Sequence, residues 1–373
     1  MSEGALAGLL VIAIEQAVAA PLCTVRLADA GARVIKIERP EGETARHYDA
    51  AVGGMSAYFV WLNRGKESAA LDLKSPGDLA LLHRLVAKAD ILVQNLAPGA
   101  IDRLGLSRAT LAQTCPRLIS AHISGYGAQT PCAEMRAYDL LVQAESGICA
   151  VTGTPDTPSK IGVSAADIAT GMNAHAAILE ALIARSTTGR GRAIEISMFD
   201  GMADWMTVPL LHFEHAARDT ARHGLSHASI YPYRPFACQG GDTLIVAIQS
   251  NAEWLRFCAR VLHRPDLQTR PDFATNALRV ANRTALDAAL EPVFARLPRT
   301  EAIARCDAAR IAWGKLSSLP DLAAHPALQR MAVSLPDGTQ ITLPRPAGRS
   351  AGQGPNAIPA LGADTARLRA EFS

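Results

Sequence analysis

The chain has 373 residues, 49% hydrophobic and 19% charged, with 37 Lys and Arg against 35 Asp and Glu. That is enough for two domains and a large core. A formal net charge of +2 provides neither a basic stripe for nucleic acid nor an acidic solvating tail. Seven scattered cysteines without a CxxC pair argue against a disulfide framework and a zinc site, and suit a reducing, cytoplasmic setting.

In chain order, the opening shows no positively charged leader. Its first apolar run, Ala5 to Ile14, is broken by Glu15 well short of the roughly 20 residues a membrane span needs. Leu9 to Ile14 reads as a buried strand, followed by a helical stretch to Leu27 and a second strand, Val34 to Ile37, ended by Pro40. A helix over Asp78 to Ala89 precedes strands at Asp90 to Leu96 and Leu118 to Ile123. Strands alternating with helices predict parallel βαβ units, hence an α/β fold with a doubly wound sheet. Ligands of such sheets lie beyond the carboxyl ends of the strands. The segments Glu15-Gln16, Glu38-Arg39-Pro40, Asn95 to Gly99 and Ser124 to Gly127 are therefore the places to look. No GxGxxG or Walker lysine motif supports a dinucleotide or NTP.

Ser164-Ala-Ala-Asp167 reads as the start of a long helix that stops at Gly189-Arg190-Gly191, followed by a strand AIEISMF and another helix. After Arg222 the chain turns loop-rich, then offers the strand TLIVAI and helices to Ala309. The expected organisation is a large domain over 1–190, a linker over 191–225, a smaller α/β domain over 226–309, and a segment 310–373 that returns to the large domain.

Asp167 lies in the first turn of its helix, where backbone N–H groups and the helix dipole favour a carboxylate. It reads either as a simple cap or, given the Gly- and Pro-rich approach GTPDTPSKIGVSAAD, as a group presented to a ligand. The ten histidines show no HxH or HExxH spacing, so no metal is expected.

The ordered strings GARVIKIERP, LNRGKESAALDLK, ADILVQNLAPGAIDRLGL, YDLLVQAESG, GVSAADIATGM and TGRGRAIEISMFDG resemble the family III CoA-transferases, the formyl-CoA and carnitine CoA-transferase group. The resemblance runs from about Gly8 to the ending IPALGADTARLRAEF. It implies that Asp167 is the catalytic nucleophile. Its carboxylate would attack a thioester to give a mixed anhydride, and CoA thiolate would return to make an aspartyl-CoA thioester before an acceptor carboxylate reverses the sequence. A CoA thioester would be substrate, with no tightly bound cofactor, and the partners would be acyl-CoA and a small carboxylate. An interlocked homodimer is implied as well, which spacing alone does not derive.

The resemblance also implies that Arg39, Asn95, Leu96, Arg103 and Arg136 lie along CoA, and it places 1–190 as the CoA-binding domain. Gly125 and Gly127, or the loop near Gly153, are candidate oxyanion donors. Asp139 stands where a racemase branch of the fold has a His-Asp pair. Tyr138 replaces that histidine here, which argues against α-proton transfer and leaves Asp139 to orient the nucleophile or CoA. A 2-methylacyl-CoA racemase and a non-catalytic CoA-binding protein are the alternatives.

The region Ser226 to Phe236 lacks the glycine run of the formyl/oxalate branch, an argument against oxalate or formate. YDLLVQAESG, SHASIYPYRPF and IAWGKLSSLPDLAAHPAL resemble instead the branch acting on mesaconyl-, itaconyl- or citramalyl-CoA. A dicarboxylate needs a second anion site, for which Arg46, His47, Arg64, Arg222 and His227 are the basic candidates.

Overall fold

The computed structural model describes residues 4–350, 352, 354 and 356–373. The chain forms two compact units. One holds the described residues through Cys149, Lys160–Leu211 and Gln329–Ser373; the other holds Ala150–Ser159 and His212–Leu328.

The first unit is built on six parallel strands: β1 (Leu10–Ile14), β2 (Arg33–Glu38), β3 (Lys66–Ala70), β4 (Ile91–Gln94), β5 (Ile119–Ser124) and β6 (Ala193–Ser197). Their order is β3-β2-β1-β4-β5-β6, so the strand order reverses between β1 and β4. The alternation of β1 explains the layering. Val11 and Ala13 face a core with helix Ala19–Asp29 and the long helix Ala165–Thr188, while Ile12 and Ile14 face a second core with helix Pro76–Lys88.

Edge strand β3, KESAA, has no apolar alternation, and the sequence offers no strand signal for it. Its charges find local partners. Glu67 pairs with Arg33 at 2.9 Å, and Lys66 turns inward to Glu15 at 2.6 Å. Lys36, in the middle of β2, is fully buried and reaches Glu15 at 3.3 Å and Glu43 at 2.8 Å. Two lysines and two glutamates thus compensate one another in the core. Removing one partner is expected to strand a buried charge at a cost of about 3–5 kcal/mol. Lys66→Met should accordingly unfold at markedly lower urea concentration than the parent chain.

The long helix ends as the sequence foretells, at Gly189 in the left-handed region (φ 68°). It packs closely on helix Ala19–Asp29, and Gly171 makes that approach possible. A Cβ there would lie 2.5 Å from the Ala19 carbonyl oxygen and 2.9 Å from Leu22 Cβ. Gly171→Ala is expected to force the helices apart and destabilise by about 1–3 kcal/mol, measurable by chemical denaturation.

In the second unit, β7 (Tyr233–Ala237), β8 (Thr243–Ala247) and β9 (Ala312–Lys315) form an antiparallel sheet in the order β7-β8-β9. It packs on a core containing Phe236, Trp254, Phe257, Phe273 and Phe294. Pairing of β9 with β8 carries this unit past Ala309 to Leu328, beyond the point where sequence texture places its end. The hairpin β10 (Arg330–Ser334) and β11 (Gln340–Pro344) belongs to the first unit. Among the described residues no helix is long and apolar enough to cross a membrane, and no group of three or more His, Cys, Asp or Glu could hold a metal.

Candidate active site

The site grows from the two loops at the reversal of the sheet. Asn95, after β4, accepts the Gln16 N–H at 2.9 Å and donates to the Gln16 carbonyl at 2.9 Å, tying the β4 loop to the β1 loop. Ala17 then takes a left-handed conformation (φ 62°), unusual for a residue with a Cβ. Its N–H donates to Glu43 Oε2 at 2.7 Å. Two residues later helix Ala19–Asp29 begins, without a side-chain cap.

Asp167 is half-buried in the first turn of helix Ala165–Thr188. Ser164, which reads as the N-cap, makes no capping bond. The cap comes from Asp139, the first residue of helix Asp139–Glu145, whose Oδ1 accepts the N–H of Ala166 at 2.8 Å and of Asp167 at 3.3 Å. Asp139 is held in turn. Gln143 Nε2 donates to its Oδ2 at 2.7 Å, while Gln143 Oε1 accepts the Ile161 N–H at 2.9 Å.

These surroundings push the Asp167 carboxyl up to about 7, first through burial and second through the charge of Asp139, with the Ala19 backbone N–H acting in the opposite direction. The sequence points to a readily ionised group, because it sits at a helix N-terminus. That dipole contributes about 0.3–1 kcal/mol, too little to outweigh withdrawal from water beside a second carboxylate. What results is a carboxyl poised near neutrality, the range in which a group can serve both as anion and as acid.

Around the same end of the sheet, Arg39 follows β2, Arg103 follows β4 and Arg136 follows β5, all three exposed. Arg39 has one distant carboxylate, Glu41 at 4.0 Å. Asn95 is the loop tie already described, and the Leu96 N–H donates to Gln94 Oε1 at 2.8 Å.

Gly125 serves packing. A Cβ there would lie 2.1 Å from Ala137 Cβ, and its carbonyl accepts the Phe199 N–H at 3.0 Å. Gly127 accepts Thr130 through its carbonyl. Gly153 (φ 114°) lies in the second unit, where a Cβ would meet the Thr157 carbonyl oxygen at 2.2 Å. Near Asp167, the Ala19 backbone N–H acts to favour the anion.

The basic residues weighed for a second carboxylate are engaged elsewhere. Arg46 grips Glu38 at 2.6 and 2.7 Å and lies over the Phe59 ring, and buried Arg64 holds Asp29 and the Trp61 carbonyl. Arg222 donates to the carbonyls of Ala150, Thr154 and Pro155. His227 Nδ1 accepts the Ser229 and Ile230 amides, each at 3.0 Å, and His47 meets the Glu41 carbonyl. Arg46, Arg64 and Arg222 would each have to surrender internal bonds to grip a substrate.

Sequence reasoning missed Ala17, Ala19, Glu43 and Gln143. The signal was the acidic EGETAR stretch after Pro40, with Gly42 beside Glu43, and the small residues after Glu15, which have no obvious helix cap of their own.

A family model described as CoA-transferase family III matches residues 6–365. The chain belongs to CoA-transferase family III. As a CoA-transferase of this family it is 41% identical over 299 residues to the acetyl-CoA:oxalate CoA-transferase of Acetobacter aceti, covering 79% of this chain and 76% of that protein. It is 33% identical over 296 residues to the succinyl-CoA:mesaconate CoA-transferase of Haloarcula hispanica, covering 76% and 73%. A CAIB/BAIF family protein from Brucella suis superposes over 100% of both chains with 32% identity and a TM-score of 0.84.

Proposed function

We propose that this CoA-transferase moves CoA between a small dicarboxylyl-CoA thioester and a carboxylate through a covalent aspartyl-CoA intermediate on Asp167. The supporting observation is one arrangement: a half-buried carboxyl in the first turn of a long helix, capped by Asp139, on a helix packed against the start of helix Ala19–Asp29. The ionised oxygen of Asp167 attacks the thioester carbonyl and CoA leaves as thiolate. The thiolate then attacks the Asp167 carbonyl of the mixed anhydride, releasing the first carboxylate, and the acceptor carboxylate reverses both steps. The Ala19 N–H offers a donor for charge that develops on the carboxyl oxygens.

The names of the two relatives, oxalate and mesaconate, support a dicarboxylate of two to five carbons. The test is to incubate succinyl-CoA with mesaconate, itaconate, citramalate or oxalate, and mesaconyl-CoA alone, and to follow thioesters by mass. New thioesters are expected, along with hydroxylamine capture of an acyl group at Asp167. Absence of CoA transfer together with solvent deuterium entering a 2-methylacyl-CoA would replace this reading with the racemase.

Arg39, Arg103 and Arg136 are proposed as contacts of the CoA moiety, since Arg39 and Arg136 lie in exposed loops after β2 and β5 and exposed Arg103 ends the short helix Ala100–Arg103 after β4. Arg103→Ala is expected to raise KM for acyl-CoA about tenfold, the loss of one charge-assisted phosphate contact, with stability changed by less than about 0.5 kcal/mol.

The homodimer is also proposed. Helix Thr207–Ala216 has no buried residue, although Val208, Leu210 and Phe213 lie on it, and Trp205 and Ile183 are exposed nearby in sequence or on the long helix. So much apolar surface on one chain suits burial against a second copy. A monomer by sedimentation would count against it. The seven free cysteines suit a cytoplasmic location.

A further inference from the structure

We infer that Glu43 is a positioning residue for the nucleophile: it holds the loop after β1 in the conformation that seats the start of helix Ala19–Asp29 against the helix carrying Asp167. The inference rests on the assignment of Asp167 as nucleophile, and extends it to a residue on the opposite side of that loop.

Four observations lead to it. Ala17 is in the left-handed region (φ 62°), a conformation that costs an alanine about 1–2 kcal/mol and persists only where its surroundings impose it. Buried Glu43 imposes it, accepting the Ala17 N–H at 2.7 Å. The next residues, Val18 and Ala19, start a helix that has no side-chain cap, so the loop sets where the Ala19 N–H points. Gly171, one turn beyond Asp167, lets Ala19 come close to the long helix.

Glu43 is itself fixed from beneath. Its Oε1 lies 2.8 Å from Lys36 Nζ, an ion-pair contact without aligned hydrogen-bond geometry. Lys36 is shared with Glu15, which also takes Lys66 at 2.6 Å and the Thr24 hydroxyl at 2.6 Å. Lys36 and Lys66 are the cations acting on Glu43, and Glu15 and Glu38 are the neighbouring anions. The buried quartet therefore does more than close the core. It anchors one carboxylate so that its other oxygen can hold a strained amide.

A glutamine cannot do both tasks. With its oxygen toward Ala17, its NH2 faces the Lys36 ammonium; turned round, its NH2 faces the Ala17 N–H. Glu43→Gln is expected to lower kcat about tenfold with KM for acyl-CoA within about twofold, because the shifted helix start packs beside the reacting carboxyl and displaces it rather than weakening binding. The acid limb of kcat/KM should move to higher pH by about half a unit, since the Ala19 N–H favours the Asp167 anion.

The decisive measurement is the double variant. Glycine adopts positive φ without help, so Ala17→Gly placed in Glu43→Gln should recover at least threefold of the lost kcat, a coupling that independent sites would not show. If Glu43→Gln does not fold, Glu43→Asp, which keeps the charge but withdraws the carboxylate from Ala17, carries the same expectations. Unchanged kcat and pH limb in a folded Glu43 variant, or no recovery in the double variant, overturns the inference while leaving the nucleophile in place. Retained turnover in Asp167→Asn overturns both.

Discussion

Asp167→Asn is expected to abolish CoA transfer by at least about 10⁴-fold and, at the same time, to make the protein more stable at pH 8. Loss of activity follows from chemistry: an amide neither attacks a thioester as a carboxylate does nor forms an exchangeable anhydride. The gain in stability follows from the surroundings. In the unfolded chain this carboxyl titrates near 4, whereas in the fold burial and the Asp139 charge raise it to about 7. A raised carboxyl contributes stability that is complete below about pH 4 and is lost as pH rises through 7, because above that the folded state must carry the charge. Three pH units correspond to about 4 kcal/mol; with the group half-exposed to solvent, about 1–3 kcal/mol is expected. Asparagine removes the charge and with it the penalty. Thermal unfolding from pH 5 to pH 8 should show the variant pulling ahead of the parent as pH rises. Equal curves at pH 8 would mean that the carboxyl is not strained by its setting, and transfer by the variant would remove Asp167 from the mechanism.

The same residue shows what is legible in a sequence and what is not. Strands β1, β2, β4 and β5 announce themselves because apolar, β-branched runs bounded by turn residues have few alternatives, and Asp167 stands out because it opens a long periodic segment. Local pattern also fixes the end of that helix at Gly189. Strand β3 is invisible because its stability comes from an edge position and from Lys66 reaching a glutamate 51 residues away in sequence. The cap of the Asp167 helix is invisible for a similar reason. Ser164 has the right identity and place, yet the bonds go to Asp139, 27 and 28 residues earlier. A long-range partner that replaces a local one leaves no periodic trace. The basic residues mislead in the opposite sense: Arg46 and Arg64 look available in a list of cations, and only three-dimensional pairing with Glu38 and Asp29 shows them occupied. A charged residue inside a predicted core strand, Lys36, was the visible hint that buried ion pairs organise this end of the sheet.

Asp139 joins the two themes, because it both holds the start of the Asp167 helix and opposes ionisation of Asp167. Its two roles can be separated by two substitutions. Asp139→Ala removes the acceptor of the Ala166 and Asp167 amides, so the first turn loses its cap, a cost of about 1 kcal/mol, and the Asp167 carboxyl loses its fixed position. Misplacement on that scale is expected to lower kcat about 10²-fold. Asp139→Asn keeps an oxygen for those amides and removes the charge. The acid limb of kcat/KM should then move to lower pH by about one unit, since the like charge that disfavoured the Asp167 anion is gone while burial remains. The asparagine NH2 would face the Gln143 NH2, and Gln143 cannot turn without breaking its bonds to the Ile161 N–H and the Val163 carbonyl. That donor–donor conflict should lower folding stability by about 1–2 kcal/mol. A pH limb that stays put in Asp139→Asn would show that burial alone sets the Asp167 titration. A kcat within threefold of the parent in Asp139→Ala would show that the helix start holds its own position without the borrowed cap.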